Sequence, residues 1–258
     1  MNAPLPLQGL GVVITRPAAA AEPLAASLAR EGARPFVFPA LVIEPIFSSP
    51  ALEAALDRLA TCGLAIFVSA NAVEHGLAAA RERGPWPALA RVAAIGEATA
   101  QALRNSGFAR VISPEGRHDS ETLLAHEELR SVEGLEVLIF RGMGGRELLR
   151  DTLSSRGARV TYAECYRRVR PASESAPLVD AWARGAIQAV SVLSAETLEN
   201  FVEMVGEEAA PYLAATALIV PHPAVAAHPL ARRFRRVLVT GAEPEAMARA
   251  LATLRVNP

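Results

Sequence analysis

Short apolar runs, many of them β-branched, recur along this chain, and most are followed by a stretch with helical spacing. The first, Gly11-Val12-Val13-Ile14-Thr15, is apolar at successive positions, the pattern of a strand covered on both faces. Arg16-Pro17 breaks it, and residues 21–30 read as a helix closed by Gly32. Further strands are predicted at 35–38, 41–45, 64–68, 92–95 and 110–112, with helices at 50–59, 72–83 and 98–106. In the second half, strands are predicted at 137–140, 160–169, 189–193, 218–220 and 237–239. Helices there are predicted at 146–156, at 177–184, after Ser194, and at 244–254. Residues 81–87 and 171–177 read as loops. Strand–helix alternation of this kind specifies parallel sheets with helices on both faces.

The pattern is duplicated. Displaced by 125 positions, Gly9-Leu10, Val12, Ile14 and Arg16 fall on Gly134-Leu135, Val137, Ile139 and Arg141. At the same offset Gly32-Ala33-Arg34 falls on Gly157-Ala158-Arg159, and Ser69-Ala70 on Ser194-Ala195. One offset across so many landmarks predicts two copies of one unit, hence two similar doubly wound α/β domains facing a shared cleft. Clefts between domains are where small-molecule sites preferentially form.

Composition narrows the function. The 258 residues are 51% hydrophobic and 21% charged, as in a globular protein with full cores. A net charge of −1 offers no global basic field for nucleic acid or an anionic membrane, so positive contacts to an anionic ligand must be local. Cys62 and Cys165 lack CxxC spacing, which argues against a zinc site or a disulfide framework and fits a reducing compartment. No apolar run reaches 18 residues, and Met1-Asn2-Ala3-Pro4-Leu5-Pro6 lacks the basic and apolar regions of a signal peptide. A cytoplasmic protein is expected. The histidines His75, His118, His126, His222 and His228 are scattered without metal-ligand spacing, His75 and His126 being read as surface residues of helices. No GxSxG elbow occurs. Arg141-Gly142-Met143-Gly144-Gly145 is the only Gly-rich loop, and it lacks both GxGxxG spacing and a Walker lysine. A turn or a carboxylate-binding nest reads better there than a nucleotide site.

In doubly wound sheets, ligands bind beyond the carboxyl ends of the strands. Those ends carry Thr15-Arg16, Ser69-Ala70-Asn71, Gly96-Glu97-Ala98-Thr99, Arg141-Gly142-Met143-Gly144-Gly145-Arg146, Ser194-Ala195-Glu196-Thr197 and His222. Most precede a predicted helix, whose free N–H groups and dipole favour carboxylates or phosphates. Ser69 and Ser194 read equally as helix N-caps, Arg16 and Arg141 as carboxylate forks or partners of acidic neighbours, and His222 as part of a rigid Pro-His-Pro turn.

Taken in order, several segments resemble the uroporphyrinogen-III synthase family. They are Val13-Ile14-Thr15-Arg16-Pro17, Phe38-Pro39-Ala40-Leu41, Ile66-Phe67-Val68-Ser69-Ala70-Asn71, Ala94-Ile95-Gly96-Glu97-Ala98-Thr99, Leu138-Ile139-Phe140-Arg141-Gly142, Glu164-Cys165-Tyr166-Arg167-Arg168 and Ser194-Ala195-Glu196-Thr197. The resemblance covers nearly the whole chain. It implies two α/β domains joined by a two-stranded β-ladder hinge, the chain crossing between them near 36–45 and 162–171. One domain would then comprise 1–37 and 170–258, the other 38–169. It implies a cofactor-independent lyase that closes linear hydroxymethylbilane into uroporphyrinogen III, with loss of water and inversion of the last pyrrole ring. Tyr166 matches the tyrosine that assists departure of the hydroxyl; a half-buried packing role is the alternative. Ser69, Asn71, Thr99 and Ser194, with Ala70, Gly96, Gly142 and Ala195 beside them, match positions lining the substrate site; Arg16, Arg141 and His222 are added from their places at the strand ends. A monomer acting on a small polycarboxylate is expected, without nucleic acid or membrane, and the upstream hydroxymethylbilane synthase is a candidate partner. Departures occur at Arg233, where the family has Gly, and at Pro229, which predicts a short or kinked helix after His222. A two-lobed sensor that binds an anion or tetrapyrrole without catalysis is the competing reading.

Overall fold

The computed structural model describes residues 5–116 and 119–256; His118 and residues 1–4 of the N-terminal reading lie outside them. The apolar runs form strands β1 (Gly11–Ile14), β2 (Arg34–Val37), β3 (Val42–Pro45), β4 (Cys62–Phe67), β5 (Arg91–Ala94), β6 (Glu136–Gly142), β7 (Arg159–Val169), β8 (Ala189–Ser191), β9 (Ala217–Val220) and β10 (Arg236–Val239). Between them lie α1 (Ala18–Arg30), α2 (Pro50–Leu56), α3 (Ala70–Arg81), α4 (Glu97–Asn105), α5 (Ser120–Ala125), α6 (Leu148–Ser155), α7 (Ala176–Ala183), α8 (Ala195–Val205), α9 (Ala210–Leu213), α10 (Pro223–Ala226) and α11 (Pro244–Val256).

The strands make two five-stranded sheets, ordered β10-β9-β8-β1-β2 and β3-β7-β6-β4-β5. The first is parallel throughout, and β7-β6-β4-β5 of the second are parallel neighbours. The 125-residue offset lays β1, β2, β8 and β9 on β6, β7, β4 and β5, so both copies have one strand order. In each, that order reverses at a switch point: β1 beside β8 in one sheet, β6 beside β4 in the other.

The chain divides into two compact units, one reaching to Val42 and resuming at Val169, the other spanning Ile43–Arg168. The first division falls beyond residue 37 because Phe38 and Ala40 belong to the first unit's core. Phe38 stands edge-on to Phe201 at 6.1 Å, and the Asn200 side chain donates to the carbonyl of Ala40 at 3.0 Å. Each sheet buries both faces by strand alternation. In β1, Val13 packs with Val190 and Leu218, while Val12 and Ile14 pack with Ala189 and Ile219 on the opposite face. In β4 and β6, Ala65, Phe67, Leu138 and Phe140 share one face; Leu64, Ile66, Val137 and Ile139 share the other. Burying each large side chain of this kind contributes about 1.5–3 kcal/mol.

Some elements depart from expectation. Residues 110–112 make only a single parallel bridge, Ile112 to Ala93, rather than a full edge strand. Helix α5 was not evident in the sequence. It is capped by Asp119, whose side chain accepts from the Thr122 N–H at 2.8 Å. After His222, α10 ends at Ala226 and a 3-10 turn, Pro229–Arg233, follows, the shortening expected from Pro229. No helix among the described residues is long and apolar enough to cross a membrane.

Candidate active site

At the carboxyl ends of β4, β5 and β6, beside the switch point of the second unit, lies a pocket of about 200 Å3. Its walls include Val68, Ile95, Ile139, Leu149, Tyr162 and Tyr166. Its charged lining consists of Arg141, Arg146 and Arg168, with no carboxylate. In a chain of nearly neutral charge these guanidinium groups suit an anionic ligand, Arg141 and Arg146 being paired with Glu147 and Glu121 just outside the lining.

Tyr166 is almost completely buried, at 2% exposure. The β6–β7 ladder pairs Arg141 with Glu164, then jumps to pair Gly142 with Tyr166, so a bulge passes over one residue. Cys165 and Tyr166 consequently join the same hydrophobic cluster, where unbroken alternation would have separated them. The ring lies on Gly142, where a Cβ atom would come within 2.5 Å of Tyr166 Cε2. Its hydroxyl is 3.1 Å from Ser69 Oγ, and the Met143 N–H donates to its carbonyl at 2.8 Å. His75, read from the sequence as a surface residue, is half-buried, with its ring centroid 6.0 Å from that of Tyr166.

Arg141 is buried and its donors are engaged within its own loop. Nε donates to the Gly142 carbonyl at 3.2 Å, Nη1 to the Arg146 carbonyl at 3.4 Å and to Glu147 Oε1 at 3.3 Å, and Nη2 to the Gly144 carbonyl. Gly145, at φ +109°, passes so close that a side chain there would meet Arg141 Nη2. The guanidinium lies over the Tyr162 ring, 4.3 Å from its centroid, and Tyr162 donates to Glu147 at 3.0 Å. Burial, reinforced by that bond to a carboxylate, pushes the Tyr162 phenol up to about 12. The same bond holds the Glu147 carboxyl below its ordinary range. Arg141 thus ties the 142–147 loop together.

Ser69 caps α3 through the Ala72 N–H at 3.1 Å, placing Ala70 and Asn71 in the first turn. Gly96 is the N-cap of α4, and Thr99 is buried in its first turn. In the first unit, Ser194 caps α8 through the Thr197 N–H at 3.1 Å, with Ala195 next. His222 caps α10, its Nδ1 accepting from Ala224 at 3.1 Å. Arg16 follows β1 and donates from Nη2 to the Ala242 carbonyl at 2.6 Å, while its Nε is buried without a partner. Burial lowers its pKa, partly offset by Glu243.

The family model for uroporphyrinogen-III synthase matches residues 22–249, well over half of the sequence. The chain belongs to the uroporphyrinogen-III synthase family. It is 34% identical over 197 residues to the uroporphyrinogen-III synthase of Escherichia coli K12, a match covering 76% of this chain and 80% of that one. With the Salmonella typhimurium enzyme of the same name the identity is 36% over 193 residues, covering 74% and 78%. Among solved structures, a mutant uroporphyrinogen III synthase from Thermus thermophilus aligns with a TM-score of 0.59 at 19% identity, over 95% of this chain and 99% of that one. The Helicobacter pylori uroporphyrinogen-III synthetase aligns at 0.54 and 14% identity, over 96% and 100%. At such identities the likeness is one of fold.

Of the residues expected from the uroporphyrinogen-III synthase resemblance and the strand-end reading, Arg141, Gly142 and Tyr166 line the pocket, and Ser69 reaches it through the Tyr166 hydroxyl. Arg16, Ser194, Ala195 and His222 lie in the first unit, at strand ends and helix starts of its own sheet. The sequence reading gave Arg146 only as the last residue of a strand-end segment, and it did not single out Tyr162 or Arg168. Strand alternation alone would have placed Arg168 on the Tyr166 face of β7.

Proposed function

We propose that this chain is a cofactor-independent lyase, uroporphyrinogen-III synthase, converting linear hydroxymethylbilane to uroporphyrinogen III in tetrapyrrole biosynthesis. The observation that carries the reading, beside family membership, is the Tyr166 hydroxyl held at 3.1 Å from Ser69 in a pocket whose charged lining is arginine alone. The substrate is a polycarboxylate, and arginine is the side chain best matched to carboxylates. At about 200 Å3 the pocket is smaller than the roughly 300–1,000 Å3 that encloses a whole drug-sized ligand, so it would take one end of the linear tetrapyrrole.

In this reading Tyr166 donates its proton to the departing hydroxyl, which leaves as water, and the remaining azafulvene cation is attacked by the rearranging ring carbon. Proton donation of this kind contributes about 10²–10⁴-fold. Ser69 orients the phenol, and the buried ring has little freedom to swing away. Backbone N–H groups and hydroxyls at Asn71, Gly96 and Thr99 would meet further carboxylates. Arg16, Ser194 and His222 are proposed to do the same from the strand ends of the first unit. Folding the chain so that the inverted ring attacks first is a problem of positioning, which a shaped site solves without a reactive prosthetic group. A cytoplasmic monomer supplied by the upstream synthase belongs to the same proposal; the two buried free thiols, Cys62 and Cys165, are in keeping with a reducing compartment only.

The test is to give purified protein hydroxymethylbilane and resolve the products by isomer. Uroporphyrinogen III formed well above the spontaneous rate supports the reading. Isomer I alone at that rate, with tight substrate binding, would favour a sensor.

A further inference from the structure

The three arginines of the pocket differ in what they already hold. Arg141 spends its donors on the carbonyls of Gly142, Gly144 and Arg146 and on Glu147. Arg146 is exposed and ion-paired with Glu121. Arg168 is exposed and lines the pocket, and its side chain has no ion pair or hydrogen bond among the described residues. Strand geometry explains the difference between neighbours. Arg167 pairs with Glu44 of β3, its Nη2 2.9 Å from the carboxylate, whereas Arg168 stands two residues from Tyr166 and shares its face of β7.

We infer that Arg168 is the specificity-determining side chain of this pocket, the one that receives a substrate carboxylate beside the Tyr166 hydroxyl. The inference rests on the reading that the substrate is a linear polycarboxylate. An arginine fork accepts a carboxylate through two parallel N–H···O bonds, stronger than neutral ones and fixed in direction. Arg168 does so without surrendering an existing partner, whereas Arg146 first has to release Glu121 and Arg141 has to release its loop. A carboxylate anchored two residues along the strand from Tyr166 also fixes which part of the substrate meets the phenol. Arg141 is by contrast a positioning residue, acting through the loop it holds.

Steady-state kinetics with hydroxymethylbilane over a salt series test this. Arg168→Gln is expected to raise KM about tenfold, equivalent to one charge-assisted hydrogen bond, and to flatten the dependence of KM on salt. Its kcat should fall less than about threefold, since binding rather than proton transfer is lost. Arg168→Lys keeps the charge without the fork, so it should show an intermediate KM and the wild-type salt slope. A Gln variant with wild-type KM and salt slope overturns the assignment, as does a Lys variant whose slope is as flat as that of Gln. If the unmodified protein makes uroporphyrinogen III in the same assay, either of those results removes only Arg168. If it yields isomer I alone, the functional reading itself fails, and the assignment falls with it.

Discussion

The phenol of Tyr166 reaches Ser69 because β7 carries a bulge where it passes Gly142, and because Gly142 has no side chain to displace the ring. A methyl group at Gly142 would sit 2.5 Å from the ring edge, so Gly142→Ala must shift either β6 or the tyrosine. Overpacking of this kind costs about 1–3 kcal/mol, and urea denaturation should show it together with a loss in kcat larger than the change in KM. Wild-type stability and turnover in that variant would mean that Gly142 does not seat the ring. The Gly-rich loop was legible beforehand, but the bulge and the role of Arg141 were not: a register shift leaves no local residue signature, and Arg141 reads equally as fork or as partner of an acidic neighbour until its acceptors are seen. Glu147 gives a second test. The hydrogen bond from Tyr162 holds its folded pKa below the ordinary 4.5, so it contributes stability above that value, and the contribution is lost as pH falls. Glu147→Gln should therefore have a flatter acid limb when stability is measured from about pH 5 downward. Parallel acid limbs in variant and parent would contradict this.

Among the elements, strands were the most legible, because each is a short apolar run that must be buried on both faces. Caps were legible too. Ser69 and Ser194, set 125 residues apart, each accept from the third N–H beyond them at 3.1 Å. Ser69→Ala and Ser194→Ala should each lose about 1 kcal/mol in chemical denaturation, and Gly at either site should restore most of it. A loss confined to one would show that the copies do not share the device. Helix starts were less legible: α1 begins at Ala18 rather than 21, its N-cap being Pro17, which carries no capping hydroxyl. Helix α5 is six residues long, below the length at which periodicity is informative, and 110–112 has the composition of a strand but gains only one bridge. Short elements of this sort are decided by tertiary packing.

On the scale of the molecule, duplication supplies the frame and divergence supplies the chemistry. Both copies keep one strand order and an arginine at the equivalent position, Arg16 just beyond β1 and Arg141 in the last residues of β6. Where the second copy carries Tyr162, Tyr166 and Arg168, the first has Val37, Leu41 and Ile43, so these three pocket-lining side chains have no like counterparts at the repeat-equivalent positions. The repeat therefore revealed the architecture but not which strand ends do the work; that distinction rests on single side chains the duplication did not preserve. The most direct measurement is the isomer ratio and rate of product formed from hydroxymethylbilane by the unmodified protein and by Tyr166→Phe. The parent should give uroporphyrinogen III, and the variant, still folded, should turn over at least about 10²-fold more slowly with isomer I dominating its products. A Tyr166→Phe protein that makes uroporphyrinogen III at the parent's rate would contradict the account.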